Sequence, residues 1–196
     1  SSMTTVALAS PNMPSSMPTF NDLYYTEIGN ALLKPESALQ YNIGLSYDKH
    51  FSQGLLRYFH LQADAYYNSV HDKIVAFPKG QQFRWTMLNL GRVHIKGVDV
   101  ETEVTLVPVS KLLVTGRLQY TWQQARDVTD VADTYYRHQI PYIPWHSGSA
   151  IVNIQYQGWG LNYSFIYAGE RYNQQENIKY NYMQPWYTSD ISLSRQ

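Results

Sequence analysis

The stretch from Gly97 to Gln123 constrains the fold most, because its residues alternate in character over a length that suits a long strand hairpin. In Lys111–Gln123, KLLVTGRLQYTWQ, the residues Val114, Leu118, Tyr120 and Trp122 fall on one face together with Gly116. Thr115, Arg117, Gln119, Thr121 and Gln123 fall on the other. The preceding segment repeats the pattern, with Val98, Val100, Thr102, Val104 and Leu106 opposing Asp99, Glu101, Glu103 and Thr105. Val107–Ser110, carrying Pro108, supplies the turn. A hairpin that is apolar on one side and charged on the other needs neighbours of the same construction.

Those neighbours are present along the chain. Leu39, Tyr41, Ile43, Leu45 and Tyr47 oppose Gln40, Asn42, Gly44, Ser46 and Asp48. After a short connection at Ser52–Gly54, Phe59, Leu61, Ala63, Ala65 and Tyr67 oppose His60, Gln62, Asp64, Tyr66 and Asn68. That strand continues toward Phe77 and turns at Pro78–Gly80, and Phe83–Leu90 with Arg92–Leu106 make the return. The alternation changes phase near Gly97, which predicts a β-bulge there. Later, Ala150, Val152, Ile154 and Tyr156 oppose Ser149, Asn153 and Gln155, with Ile151 as the exception. A tight turn at Gln157–Gly160 leads to Leu161, Tyr163, Phe165 and Tyr167, and a last strand sets Ile191 and Leu193 against Asp190, Ser192 and Ser194.

The pattern predicts an all-β antiparallel meander of about seven strands. Its connections alternate in length. Short turns fall near residues 52, 108 and 158, a modest one near 78–82, and longer polar stretches at 19–36, 125–146 and 169–185. Long loops gathered at one end, with strands of ten or more alternating residues, favour a transmembrane barrel over a soluble sandwich, although alternation alone suits both.

Composition sharpens this. Eighteen Tyr and five Trp stand against six Phe, and side chains with an apolar body and a polar tip suit membrane interfaces and ligand contact. No apolar run reaches the roughly 18 residues of a membrane helix, which leaves a barrel open. Fifteen basic and fifteen acidic residues cancel, with no basic run, so nucleic acid is not an expected partner. Cysteine is absent, removing disulfides and thiolate metal sites.

Three segments carry a resemblance. Pro18–Glu36, PTFNDLYYTEIGNALLKPE, followed by Gln40–Tyr41 and Gly44, resembles a loop-and-strand motif of TonB-dependent outer-membrane receptors. Ala65–Ala76, AYYNSVHDKIVA, with Asn89–Val100, NLGRVHIKGVDV, resembles that family's strand pair with its N-x-G and KG-x-D/E signatures. Gln139–Ala150, QIPYIPWHSGSA, resembles a motif at the start of a later strand. The resemblance covers residues 18–196, and its nearest form is the cobalamin or siderophore receptor of the Bacteroides type. It implies part of a 22-stranded barrel closed by an N-terminal plug. It further implies import of a scarce nutrient such as vitamin B12 or an iron–siderophore, energy from the TonB complex acting on the plug, and the outer membrane of a Gram-negative bacterium with its lipid as surroundings.

Against that family the chain is expected to be a fragment, inactive alone, without plug, TonB box or the last two strands. Residues 1–17 lack both signal-peptide character and the expected preceding strand. The alternative reading is a non-transporting soluble or surface β-sheet module that binds a ligand.

The loop aromatics Tyr135, Tyr136, Tyr142, Tyr172, Tyr180 and Tyr182, with Arg137 and Arg171 close by in sequence, are the candidate ligand-binding set. They either grip a ligand or pack the loops. Trp145, in the same loop, is a further candidate for ligand contact, and it and Trp186 equally fit an interface belt. Asp99, Glu101 and Glu103 on one strand face, spaced about 6.6 Å apart, suit a hydrated lumen better than catalysis. His138 and His146 lack the short spacing of a metal pair, and His60 and His94 read as lumen or loop residues. No phosphate loop, nucleophile elbow or triad order is present, so neither an enzyme nor a cofactor is expected.

Overall fold

The computed structural model describes residues 2–12, 15–24, 30–79 and 84–195. Eight principal strands form one antiparallel sheet. They are β1 (Ser2–Asn12), β3 (Glu36–His50), β4 (Leu56–Lys79), β5 (Arg84–Leu106), β6 (Leu112–Asp127), β7 (His146–Tyr156), β8 (Trp159–Ala168) and β11 (Trp186–Arg195). They pair in that order, while the short β2 (Ser15–Ser16) pairs with β3 off the main path. A separate ribbon joins β9 (Arg171–Tyr172) to β10 (Tyr182–Met183), and a single helical turn, α1, spans Phe20–Tyr24.

The two faces remain distinct across every pair. One register row runs Leu45, Ala63, Val100, Tyr120, Gly148, Tyr167, and the adjacent row runs Ser46, Gln62, Glu101, Gln119, Ser149, Ile166. The alternation is therefore a property of the whole sheet. Its polar face is cross-linked: Arg117 pairs with Glu101 at 2.8 Å, Gln119 donates to Glu101 at 2.7 Å, and Thr121 donates to Asp99 at 2.7 Å. His60 and Tyr58 both bond Asp48, at 2.8 and 2.9 Å. The strand carboxylates are thus occupied by their neighbours, as a wet polar wall requires.

Residues 2–12, obscure in pattern, pair along β3 from Ser2–Lys49 to Ala9–Asn42 before the register shifts. Val6 thereby joins the apolar row of Leu45. The β6 strand continues to Asp127, beyond Gln123, because β5 offers partners as far as Val93. The turn expected at Pro78–Gly80 lies partly outside the described residues, as do residues 25–29 of the PTFNDLYYTEIGNALLKPE motif. Between β7 and β8 the left-handed Gln157 and Gly158 (φ 48 and 84) make the two-residue turn whose twist matches the flanking strands.

The bulge expected at Gly97 is absent. Gly97 pairs regularly with Tyr66 and Gln123, and neither β5 pairing shifts register there. The change of phase comes from the surroundings. Below Gly97 the apolar residues share the face of Val98 and Val100. Above it the same face carries Lys96 and His94, and the opposite face buries Val93 and Ala125 beneath a loop, with the half-buried Ile95 packed against them.

Gly97 is required for a different reason. A Cβ there would meet the Tyr66 ring and Trp122 O, the latter at 2.6 Å, whereas one at Gly116 would meet only Val104 at 3.4 Å. We expect Gly97→Ala to lower stability by about 1–3 kcal/mol through overpacking and Gly116→Ala to be near neutral. Urea unfolding in detergent micelles checks this, and equal midpoints would remove the steric account.

The family-like motifs also acquire physical roles. Asn89 donates to Lys34 O at 3.0 Å and Asp72 O at 2.7 Å, and accepts from Lys34 N at 2.8 Å. Glu36 accepts from Lys73 and from Ile74 N at 3.1 Å. Together they tie the 30–36 segment to the far half of the β4–β5 pair. Among the described residues no second layer covers the apolar face, and the fully buried large side chains are Val93 and Ile140.

Candidate functional site

The loops 128–145 and 169–185 converge at the end of the sheet where β6 and β5 run longest. Asp127 begins the first loop. Its Oδ1 accepts from Thr129 N at 2.9 Å and Thr129 Oγ1 at 2.6 Å, an Asx turn that redirects the chain. Asp130 and Asp133 repeat the device with Ala132 N and Tyr135 N, both at 2.9 Å. The loop then returns along the free edge of β6, with Arg137 N on Asp127 O at 2.7 Å and Ile140 N on Ala125 O at 2.9 Å. Gln139 accepts from Ala125 N at 2.9 Å through its side chain, supplying the strand partner that the backbone lacks. Ile140, 2% exposed, packs into Val93 and Ala125.

The second loop locks onto the first by side-chain amides. Asn177 accepts from Gln139 N at 2.6 Å and donates to Gln139 O at 3.0 Å, a two-way match to a backbone peptide. Gln175 donates to Asp127 Oδ2 at 2.9 Å, and its carbonyl lies 3.1 Å from His138 Nδ1. Asn181, itself buried, donates to Glu176 O at 3.0 Å. The two loops therefore behave as one body, because buried polar pairs of this kind are costly to separate.

On that body some of the expected residues come together. The Trp145 and Tyr172 rings meet edge to face at 5.5 Å, Tyr172 and Tyr182 do so at 6.1 Å, and Tyr142 N donates to Tyr172 O at 2.8 Å. Arg171 donates to Gly169 O at 3.2 Å. Burial raises the Tyr142 hydroxyl above its ordinary range while Arg171 draws it down. Tyr182 is raised by burial and by its bond to Glu170. Both phenols remain protonated donors at neutral pH. An aromatic wall with polar tips and one guanidinium suits a large ligand of mixed polarity.

The rest are placed elsewhere. Tyr135 donates to Glu176 at 3.1 Å and so helps fasten the loops. Tyr180 is 92% exposed and stands apart. Tyr136, with the Arg137 guanidinium 5.5 Å from its ring, lines a different cleft on the apolar face. His146 lies 2.7 Å from the Tyr120 hydroxyl, and among the described residues no three His, Asp or Glu side chains form a metal set. Sequence reasoning missed the fastening roles of Asp127, Gln139, Gln175 and Asn177; only Gln175 and Asn177 had a compositional signal, the amide-rich second loop, and Gln139 was noted only as the first residue of the QIPYIPWHSGSA motif.

Comparison with known proteins agrees with this geometry. A family model described as "TonB dependent receptor-like, beta-barrel" matches residues 15–195. The vitamin B12 transporter BtuB of Vibrio vulnificus is 30% identical over 127 residues, 63% of this chain and 18% of that protein. The vitamin B12 transporter BtuB of Photobacterium profundum is 28% identical over 167 residues, 83% of this chain and 24% of that protein. The chain thus spans under a quarter of the length of these curated relatives. Among solved structures, the copper transporter OprC superposes over the whole chain and 29% of its own, with TM-score 0.63 and 13% identity. The ferric yersiniabactin uptake receptor FyuA of Yersinia pestis superposes over 83% of this chain and 23% of its own, with TM-score 0.58 and 19% identity. At such identities these two structures speak to the fold alone.

Proposed function

Because the chain belongs to the TonB-dependent receptor-like β-barrel family, we propose that it forms part of the wall of an outer-membrane importer whose long loops capture a scarce nutrient. The nutrient is a cobalamin, an iron–siderophore or a ligand of similar bulk. Import draws on TonB acting through a plug domain, and lipid covers the apolar face. The observation that carries this reading is the loop body. Two long loops at one end of a one-layer sheet are locked together and present Tyr142, Tyr172, Tyr182 and Arg171 as a group. The B12 transporters among the relatives support the ligand class.

A soluble module is less well supported. It would have to cover Ile43, Leu118, Tyr163 and Ile191, all exposed on one face, which together make a patch beyond what monomers in water tolerate. The relatives are named as transporters and a receptor rather than as enzymes.

Ligand affinity of the full-length gene product, with cyanocobalamin and a ferric siderophore as probes, tests the proposal. Joint replacement of Tyr142, Tyr172 and Tyr182 by Ala should weaken binding at least tenfold, since each aromatic contact contributes about 0.5–1.5 kcal/mol beyond its area. Tyr180→Ala should change little. Unchanged affinity in the triple variant would show that this aromatic group does not hold the ligand.

A further inference from the structure

We infer that the apolar face carries, at its loop end, a site for the phosphate of an outer-leaflet glycolipid; this rests on the membrane-wall reading above. The site is a cleft of about 310 Å³ lined by Tyr67, His94, Lys96, Gln124, Arg126 and Arg137, with Tyr136 and Val128 closing its end. Its base follows from register: Lys96 is paired with Tyr67 and Gln124, and His94 with Arg126, so two successive rows across β4, β5 and β6 carry the cations. Arg137 arrives from the loop in a left-handed conformation (φ 66), its guanidinium resting over Tyr136.

Charge compensation is missing on this face. Among the described residues Lys96, Arg126 and Arg137 make no ion pair. The carboxylates of the same strands, Asp99, Glu101 and Glu103, alternate onto the opposite face, and Asp127 is buried under the loops. Three gathered cations without a counter-charge repel one another unless an anion sits among them. Guanidinium groups match phosphate oxygens in pairs, which makes phosphate the anion of choice.

The position in the fold identifies the carrier of that phosphate. One row below Lys96 and Gln124 comes Val98 opposite Trp122, and then Val100 opposite Tyr120, so the cations sit at the rim of the apolar belt. Below and to the side, a second hollow of about 310 Å³ opens over Gly148, bounded by Leu118, Tyr120, Ala150, Phe165 and Tyr167, and its exposed lining is almost wholly apolar. Tyr120 lies four residues down β6 from Gln124, about 13 Å by strand rise. A phosphate at the rim and an acyl chain running toward the hollow are the two ends of one amphiphile, and free phosphate would use only the upper site.

The test uses the full-length protein in detergent, titrated with lipopolysaccharide, enzymatically dephosphorylated lipopolysaccharide and inorganic phosphate. Wild type should bind the phosphorylated glycolipid at least tenfold more tightly than the dephosphorylated form, and millimolar phosphate should not displace it. The combined variant Lys96→Gln, Arg126→Gln and Arg137→Gln should lose that tenfold preference. Equal affinity of wild type for the two lipids, a variant that keeps the preference, or displacement by phosphate alone would each overturn the inference. The wild-type comparison decides even where the variant does not fold. Heat-modifiable gel mobility of the wild type reports separately on the barrel reading: its absence would count against the membrane wall, not against the cation cluster.

Discussion

Leu118→Arg should largely abolish assembly of the barrel into membranes, whereas Gln119→Arg should leave it intact. The two positions are consecutive on β6 and differ only in the face they occupy. Leu118, 56% exposed, sits in the apolar register between Thr102 and Ala150. A guanidinium there would stand in hydrocarbon, at a cost of about 2–4 kcal/mol near the bilayer midplane. Gln119 already donates to Glu101 at 2.7 Å and accepts from Ser149 at 3.1 Å. Arginine in its place stays on the wet wall within reach of the same carboxylate. Heat-modifiable mobility of the two variants, expressed side by side in the full-length protein, is the measurement. Equal tolerance would mean that the apolar face does not meet lipid, and a soluble sheet with a covered face would replace the importer.

This contrast was legible in the sequence because a strand reports its two environments through alternate residues, and Leu118 and Gln119 report them without ambiguity. Every face assigned on β3 through β8 survives in the register, including the anomaly at Ile151, which lies on the polar face between Arg117 and Ser164. Alternation misled at Gly97. There the surroundings exchange along an unbroken strand, with the apolar Val98 and Val100 giving way to Lys96 and His94 on one face while the other face becomes a small loop core. A pattern read one strand at a time cannot separate that exchange from an inserted residue, because both shift the phase by one. The β1 strand was hidden for another reason. Val6 and its neighbours are an edge whose identity depends on the Leu45 row they join, a relation between segments and not within one. Of the candidate site, the tyrosines were legible by type. Their division into a cluster (Tyr142, Tyr172, Tyr182), a fastener (Tyr135) and a bystander (Tyr180) was not, since it is decided by amide pairings such as Asn177 with Gln139 that leave no periodic trace.

The loop body itself supplies the other large expected effect. Ile140→Asp should release the loops 128–145 and 169–185 from the sheet while leaving the barrel inserted. Among the described residues Ile140 is the one large apolar side chain of these loops buried to 2%, and it fills the space over Val93 and Ala125. Aspartate would lose the packing, worth about 2–5 kcal/mol for an isoleucine. It would also place an unpaired carboxylate against apolar groups, which carries a further penalty. The amide bonds of Gln139 and Asn177 depend on the backbone that Ile140 anchors, so they should fail with it. Hydrogen exchange at the Ala125, Gln139 and Ile140 amides should accelerate by a hundredfold or more, and added protease should cut within 128–145, with heat-modifiable mobility unchanged. Ligand affinity should fall alongside, because the Tyr142–Tyr172 pairing is fixed only while both loops are held. Protected amides in this variant would mean that the Asn and Gln network holds the loops without the apolar anchor. Exposed amides with undiminished ligand binding would separate the two claims, leaving the anchor in place and removing the aromatic group from recognition.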